Sequence, residues 1–187
     1  MKCLLLALSL ALVCGVQAID VLEIMKHLDI QKLAGTWHSM AMAASTSSLL
    51  EVQSSSLRVF ISALRPTLEG NLEIFLQAWE DNRCVEKRIF AEKTESLENF
   101  QINYLGENRL MFLDTDYDDH LFFCMENIAA PSQSLVCQYL ARTLRVDEQV
   151  MERFSNAVKT LSVPMPIFLD VTRGGALPRP PGGEEAP

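Results

Sequence analysis

Positive charge is scarce in this 187-residue chain: 16 lysines and arginines stand against 24 aspartates and glutamates, a net charge of -8. A surface of that sign repels phosphate backbones and anionic headgroups, so neither nucleic acid nor membrane is an expected partner, and its main effect is solubility. Histidine is rarer still. His27, His38 and His120 are scattered, with no metal-ligand spacing and no paired acid that would make a nucleophile and base. No metal, cofactor or catalysis is therefore expected. No asparagine stands in an N-x-S/T sequon: Asn82 precedes Arg83-Cys84, Asn103 precedes Tyr104-Leu105, and the others fail likewise. Self-similarity at periods of about 20 to 50 residues is also missing, which excludes solenoids and propellers.

One long apolar run is present, CLLLALSLALVCGV after Lys2. It is shorter than the ~20 residues that span a bilayer, and it ends in Val16-Gln17-Ala18, small residues at the positions a signal peptidase reads. Residues 1–18 are expected to be a secretory signal peptide, which implies an extracellular protein without membrane insertion. Loss of Lys2 takes the charge from -8 to -9. Cys3 and Cys14 leave with the leader, and five minus two leaves Cys84, Cys124 and Cys137. In an oxidising compartment that is one pair and one remainder. The tail TRGGALPRPPGGEEAP, residues 172–187, is too rich in proline and glycine to build a core and is expected to be disordered. Residues 19–171 are about the length of one domain.

Within that domain the apolar residues alternate with period two, the pattern of half-buried strands. One parity holds Leu57, Val59, Ile61 and Ala63; the next run holds Leu72, Ile74, Leu76 and Ala78; then come Phe100, Ile102 and Tyr104, Leu110 and Phe112, and Leu121, Phe123 and Met125. The intervening stretches RPTLEGN, EDNR, LGENR and TDYDD supply turn residues. About eight strands fit between Trp37 and Arg142, the spacing of an all-β sandwich or up-and-down barrel. The period then changes. Val150, Phe154, Val158 and Leu161 form a helical stripe behind Asp147, a suitable N-cap, with Glu148 in the first turn. Phe122, Cys124, Leu135, Cys137 and Tyr139 share the outward parity of two strands, an apolar patch that needs such a helix as its cover. Cys124 and Cys137 lie on consecutive strands and are the expected disulfide, closing a short loop worth roughly 3 kcal/mol.

Three short motifs carry a resemblance. Gly35-Thr36-Trp37 before the first strand, Thr115-Asp116-Tyr117 in a late turn, and Arg142 after the last barrel strand resemble the three lipocalin signatures, in order and in context. From about Leu28 to Leu161 the chain is similar to the β-lactoglobulin and glycodelin branch of that family, notably in LDIQKLAGTWHSMAMAAS, LDTDYD, CMEN and CQYLARTL. The resemblance implies an eight-stranded antiparallel barrel enclosing a cavity, with one flanking α-helix and a ninth strand outside. It also implies that Trp37 plugs the closed end beneath Arg142, a cation–π contact of about 0.5 to 2 kcal/mol. Gly35 would admit the short helical turn before the strand.

Given a barrel, the inward parity supplies a lining of Leu57, Val59, Leu72, Ile74, Leu76, Ile89, Ile102, Leu110, Phe112, Phe123 and Met125. These side chains alone could equally fill a solid core; the resemblance implies a cavity for a fatty acid or retinoid, held by ~25 cal/mol per Å² of buried apolar area. Lys87 has the parity of Ile89 and is either a solvated lysine or a cation at the mouth that pairs with a ligand carboxylate. Glu107 in LGEN aligns with the family's pH-dependent latch, so ligand uptake is expected to fall in acid, the direction that desolvation of a carboxyl gives.

The departures from the family are specific. The partner cysteine that the resemblance implies for Cys84 is missing from the tail, so Cys84 is expected to be a free, outward thiol or a link to another chain. In SVPMPIFLD, Pro164 and Pro166 remove N–H groups along one edge of the expected ninth strand. A monomer, or a dimer not paired through that strand, follows. The barrel cysteine of the family's enzymatic members has no counterpart between Ser45 and Leu64. Without sequons, a carrier is favoured over a glycan-borne regulator; a secreted protein acting on cell receptors through its surface is the rival reading.

Overall fold

A computed structural model describes residues 28–50, 56–81, 83–95, 99–131, 133–161 and 167–170. The expected leader, the tail beyond residue 171, and Pro164 and Pro166 lie outside them. Ten antiparallel strands form one sheet: β1 Gly35–Thr36, β2 His38–Ala44, β3 Phe60–Pro66, β4 Leu72–Glu80, β5 Arg83–Lys93, β6 Asn99–Asn103, β7 Glu107–Thr115, β8 His120–Asn127, β9 Val136–Ala141 and β10 Ile167–Asp170. Neighbours run β1-β3-β4-β5-β6-β7-β8-β9-β2-β10. Because β1 and β2 are one strand interrupted at Trp37, this order closes on itself. The result is the expected eight-stranded barrel with a ninth strand, β10, outside β2.

Register shifts interrupt simple alternation in β2, β3, β7 and β10. The register of β3 on β4 shifts between Ile61 and Ala63, so the extra residue Ser62 reverses the parity. Leu64 enters the core, and Ala63, expected inside, does not. Another shift lies between Phe112 and Asp114 of β7. Such bulges bend a strand and let a small sheet close.

The sheet has apolar side chains on both faces. Inside, the core runs from Leu33 and Trp37 through Leu72, Phe100 and Leu121 to Leu76 and Ile102. Outside, α1 (Glu148–Lys159) lays Val150, Phe154 and Val158 on Phe122, Tyr139 and the Cys124–Cys137 bridge. The bridge joins residues that face each other in the β8–β9 register. The helix starts where it does because the Asp147 carboxylate accepts from Gln149 N at 2.9 Å and Val150 N at 3.2 Å. Arg153 on its exposed side donates to Asp114 Oδ2 at 2.7 Å, tying the helix to β7.

The signature residues build the closed end. Trp37 is fully buried, its indole N–H donates to Leu33 O at 2.8 Å, and the Arg142 guanidinium lies 3.9 Å from the ring centroid. Arg142 also donates to the carbonyls of Tyr117, Ala34, Thr36 and Lys32. Gly35 has φ +114, and a Cβ there would meet Arg142 Nη1 at 3.1 Å; both facts require glycine. In the TDYDD turn Thr115 Oγ1 donates to His120 O and accepts from Tyr117 N. Asp116 Oδ1 accepts from Asp119 N and His120 N, both at 2.9 Å, and Tyr117 takes φ 69.

Candidate functional site

With one end plugged, the open end is the one that carries the β4–β5, β6–β7 and β8–β9 connections, with Ser56 and Leu57 beside it. Behind it an apolar cavity of about 30 Å³ is lined by Leu57, Val59, Ile61, Ile74, Leu76, Ile89, Ile102, Tyr104, Leu110, Phe123, Met125, Val136 and Gln138. Nine of the side chains expected from parity border it. Leu72 and Phe112 do not: they are packed in the core outside the lining, Phe112 edge-on to Phe100 at 5.7 Å. Ile61 and Tyr104, which share the inward parity of Val59 and Ile102, line it as well. Val136 and Gln138 line it from β9, where the sequence pattern marks only the outward cysteine and tyrosine.

The void is small because the side chains nearly meet. Pockets that hold drug-sized molecules measure about 300 to 1,000 Å³, so a long ligand needs the lining to move. Leu57, Phe123 and Met125 are only partly buried although they pack against the inner core, as expected of flexible side chains that border a void. Exposed Leu105 and Ile128 stand on neighbouring turns, joined through the Ile128 N to Glu107 O bond of 3.0 Å. They give the mouth an apolar rim.

The polar groups of the lining are Tyr104 and Gln138, and both are engaged. Tyr104 Oη donates to Ser56 O at 2.6 Å; burial, and then the Glu80 charge, push its hydroxyl above the ordinary tyrosine range. Gln138 closes a seam. No ladder joins β2 to β3, and across that gap Gln138 Nε2 donates to Val59 O at 3.0 Å, Ser39 Oγ donates to Gln138 Oε1 at 2.8 Å, and Ile61 N donates to Ser39 Oγ at 2.8 Å. This buried network satisfies backbone groups that a flat sheet would pair with a neighbour.

Lys87 does not line the cavity. It has the inward parity expected of it but is held at the mouth by Glu80, which continues the Leu72-Ile74-Leu76-Ala78 parity, and its ammonium lies 5.9 Å from the Tyr104 ring centroid. Glu107 is exposed at the start of β7, beside the Leu105–Gly106 turn with φ 55 and 110. Cys84 is a half-buried free thiol on β5.

At the closed end His120 is buried between carboxylates. Its Nε2 is 3.3 Å from Asp114 Oδ2, and its Nδ1 is 2.9 Å from Asp116 Oδ2, close enough for an ion pair but without hydrogen-bond geometry. Burial pushes the imidazole pKa down, but the hydrogen bond it donates to Asp114 and the two carboxylate charges outweigh it, and the net direction is up. An open groove of about 810 Å³ lies beside this cluster and the start of α1, between Asp116, Asp119, Asp147 and Glu148 and the cations Arg145 and Arg153. Its mixed charges and openness to water suit it poorly to an apolar molecule. Among the described residues, no three His, Cys, Asp or Glu side chains gather as metal ligands, and no helix is long and apolar enough to cross a membrane.

A barrel plugged by tryptophan and arginine, open at the other end and lined by aliphatic side chains, matches the lipocalin / cytosolic fatty-acid binding protein family over residues 34–174. The chain belongs to the lipocalin family. Within it, it is 62% identical to β-lactoglobulin-2 of Canis lupus familiaris over 144 residues, 77% of this chain and 89% of that protein. It is 49% identical to glycodelin of Homo sapiens over 171 residues, 91% of this chain and 95% of that one. Among solved structures, the possum milk whey lipocalin trichosurin, crystallised at pH 4.6 with bound 4-ethylphenol, superposes with a TM-score of 0.65, covering 75% of this chain and 97% of that chain. At 23% identity that likeness establishes the fold alone.

Proposed function

We propose that this lipocalin is a secreted carrier of a small hydrophobic molecule of the fatty-acid or retinoid type, taken up through the open end of the barrel. The observation that carries the reading is the apolar void behind an apolar rim, lined almost wholly by aliphatic and aromatic side chains, at the end opposite the Trp37 plug. Phe123 and Met125 border the void and remain only partly buried, so they are the side chains a ligand would displace. The ligand enlarges the void by displacing these side chains, and the area removed from water at ~25 cal/mol per Å² offsets the repacking.

Glu107 sets the pH dependence. It is exposed at the start of β7 with the mouth accessible; folding the turn over the mouth would bury it, and burial disfavours the charged form of a carboxyl. Binding therefore weakens in acid. Titration of the purified mature chain with retinol and with a long-chain fatty acid, at neutral and acid pH, tests this. Saturable binding that weakens in acid is expected, with Glu107→Gln removing most of the pH dependence. Binding indifferent to pH in the parent chain overturns the latch, and no binding by the folded chain overturns the carrier. Such a carrier acts as a monomer, or as a dimer linked through Cys84 and not through β10; a strand-paired dimer that persists in Cys84→Ser would contradict this.

A further inference from the structure

Near the mouth, two ionisable side chains of β4 and β5 share the inward parity and are only partly exposed: Glu80, at 39% of its side-chain surface, and Lys87, at 33%. They are bonded to each other, and the ammonium is also within reach of the Tyr104 ring. Arg83, opposite Glu80 in the register, stands exposed at the hairpin tip. Deeper in, none of the described residues lining the cavity is charged. Its polar groups are the Gln138 amide, already bonded to Val59 O and Ser39 Oγ, and the Tyr104 hydroxyl, already bonded to Ser56 O; the second amide hydrogen and the phenol lone pair leave each with capacity for one more hydrogen bond.

A carboxylate entering this site has three places to go. It can displace Glu80 from Lys87, breaking a charge-assisted bond that is already made. It can sit beside Glu80 and share the lysine, where two like charges repel. Or it can go down among Leu76, Ile89 and Ile102 as a buried anion without a cation, the least favourable of the three. A hydroxyl meets none of these penalties. It is both donor and acceptor, as Gln138 and Tyr104 require, and leaves the Glu80–Lys87 pair intact.

We propose that Glu80 is a specificity residue: by occupying Lys87 it disfavours ligand carboxylates at the mouth and makes the cavity prefer long apolar molecules with a neutral polar head, such as an alcohol, over the corresponding acids. This rests on the carrier reading and narrows it, replacing the expectation that Lys87 receives a ligand carboxylate. The test compares two ligands with the same ring and polyene and different heads, retinol and retinoic acid, by calorimetric titration at mildly alkaline pH, where the acid is ionised. The parent chain is expected to bind retinol at least about tenfold tighter than retinoate, roughly 1.4 kcal/mol. Glu80→Gln is expected to raise retinoate affinity about tenfold and to leave retinol within about twofold. Adding Lys87→Met to that variant removes the gain; a gain that survives would assign it to Arg83 or another cation and overturn the role of Lys87. Equal affinity for both ligands in the parent chain, or a Glu80→Gln variant of native circular dichroism with unchanged retinoate affinity, overturns the inference and leaves the carrier reading standing. Absence of binding to both ligands overturns both.

Discussion

Replacing Arg142 with methionine isolates what the closed end contributes to stability. The unbranched apolar stem stays over the indole of Trp37, while the charge and all the donors are removed. Four carbonyls lose a partner: those of Lys32, Ala34 and Thr36 lie in exposed contacts, and that of Tyr117 is partly buried. Water can replace the first three at small net loss, about 0.5 kcal/mol each, whereas the Tyr117 carbonyl costs about 1 to 3 kcal/mol if left unpaired. Loss of the cation over the ring at 3.9 Å adds about 0.5 to 2 kcal/mol. The expected destabilisation is about 3 to 6.5 kcal/mol, a large share of a typical total of about 5 to 15. In a domain of this size it corresponds to a fall in Tm of about 6 to 26 °C. Urea unfolding followed by tryptophan fluorescence measures it, since Trp37 is fully buried in the folded chain. Arg142→Lys should recover less than half, because an ammonium cannot reach four carbonyls in a fork. A loss below about 1 kcal/mol for the methionine variant, or full recovery by lysine, would refute the assignment. So would loss of retinol binding by a variant that remains folded, because the plug lies at the end of the barrel away from the mouth.

Other outcomes follow from the same geometry. The raised pKa of His120 means that its contribution is complete below the unfolded value of 6.5 and is lost as pH rises through the folded value. Asp114 and Asp116, held below 3.8 chiefly by their bonds to His120 once the opposing effect of burial is met, contribute above 3.8 and lose it as pH falls further. Denaturant midpoints should therefore decline above 6.5 in the parent chain, and His120→Gln should flatten that decline; an unchanged profile would refute it. Gln138→Leu strands the Val59 carbonyl and leaves Ser39 Oγ without its acceptor, so it should destabilise by about 1 to 3 kcal/mol despite making the core more apolar. A neutral effect in urea melts would show that the seam is satisfied in another way.

Most of the barrel was legible in the sequence because one period, two, repeats along each strand and one change of period marks α1. Trp37, Arg142 and the TDYDD turn were legible because their chemistry is local and rarely imitated. The bulge at Ser62 was not, since an extra residue leaves the composition of β3 unchanged while reversing which of Ala63 and Leu64 points inward. Gln138 was hidden by its polarity: nothing in VCQYL says that an amide turns inward to close a seam. Glu80 was hidden for the opposite reason, because a glutamate at a hairpin reads as solvated until its distance to Lys87 is known. The size of the void depends on side-chain packing across strands far apart in sequence, which no single strand's pattern contains.

The central claim, that the barrel interior receives the ligand, is tested most directly by methyl-resolved NMR of the mature chain during titration with retinol. The account predicts one-to-one saturable shifts at Leu57, Ile74, Ile89, Ile102 and Met125, with Val150 and Val158 under α1 unaffected. Shifts confined to α1 and the outer face, or none in a folded chain at saturating ligand, would contradict it.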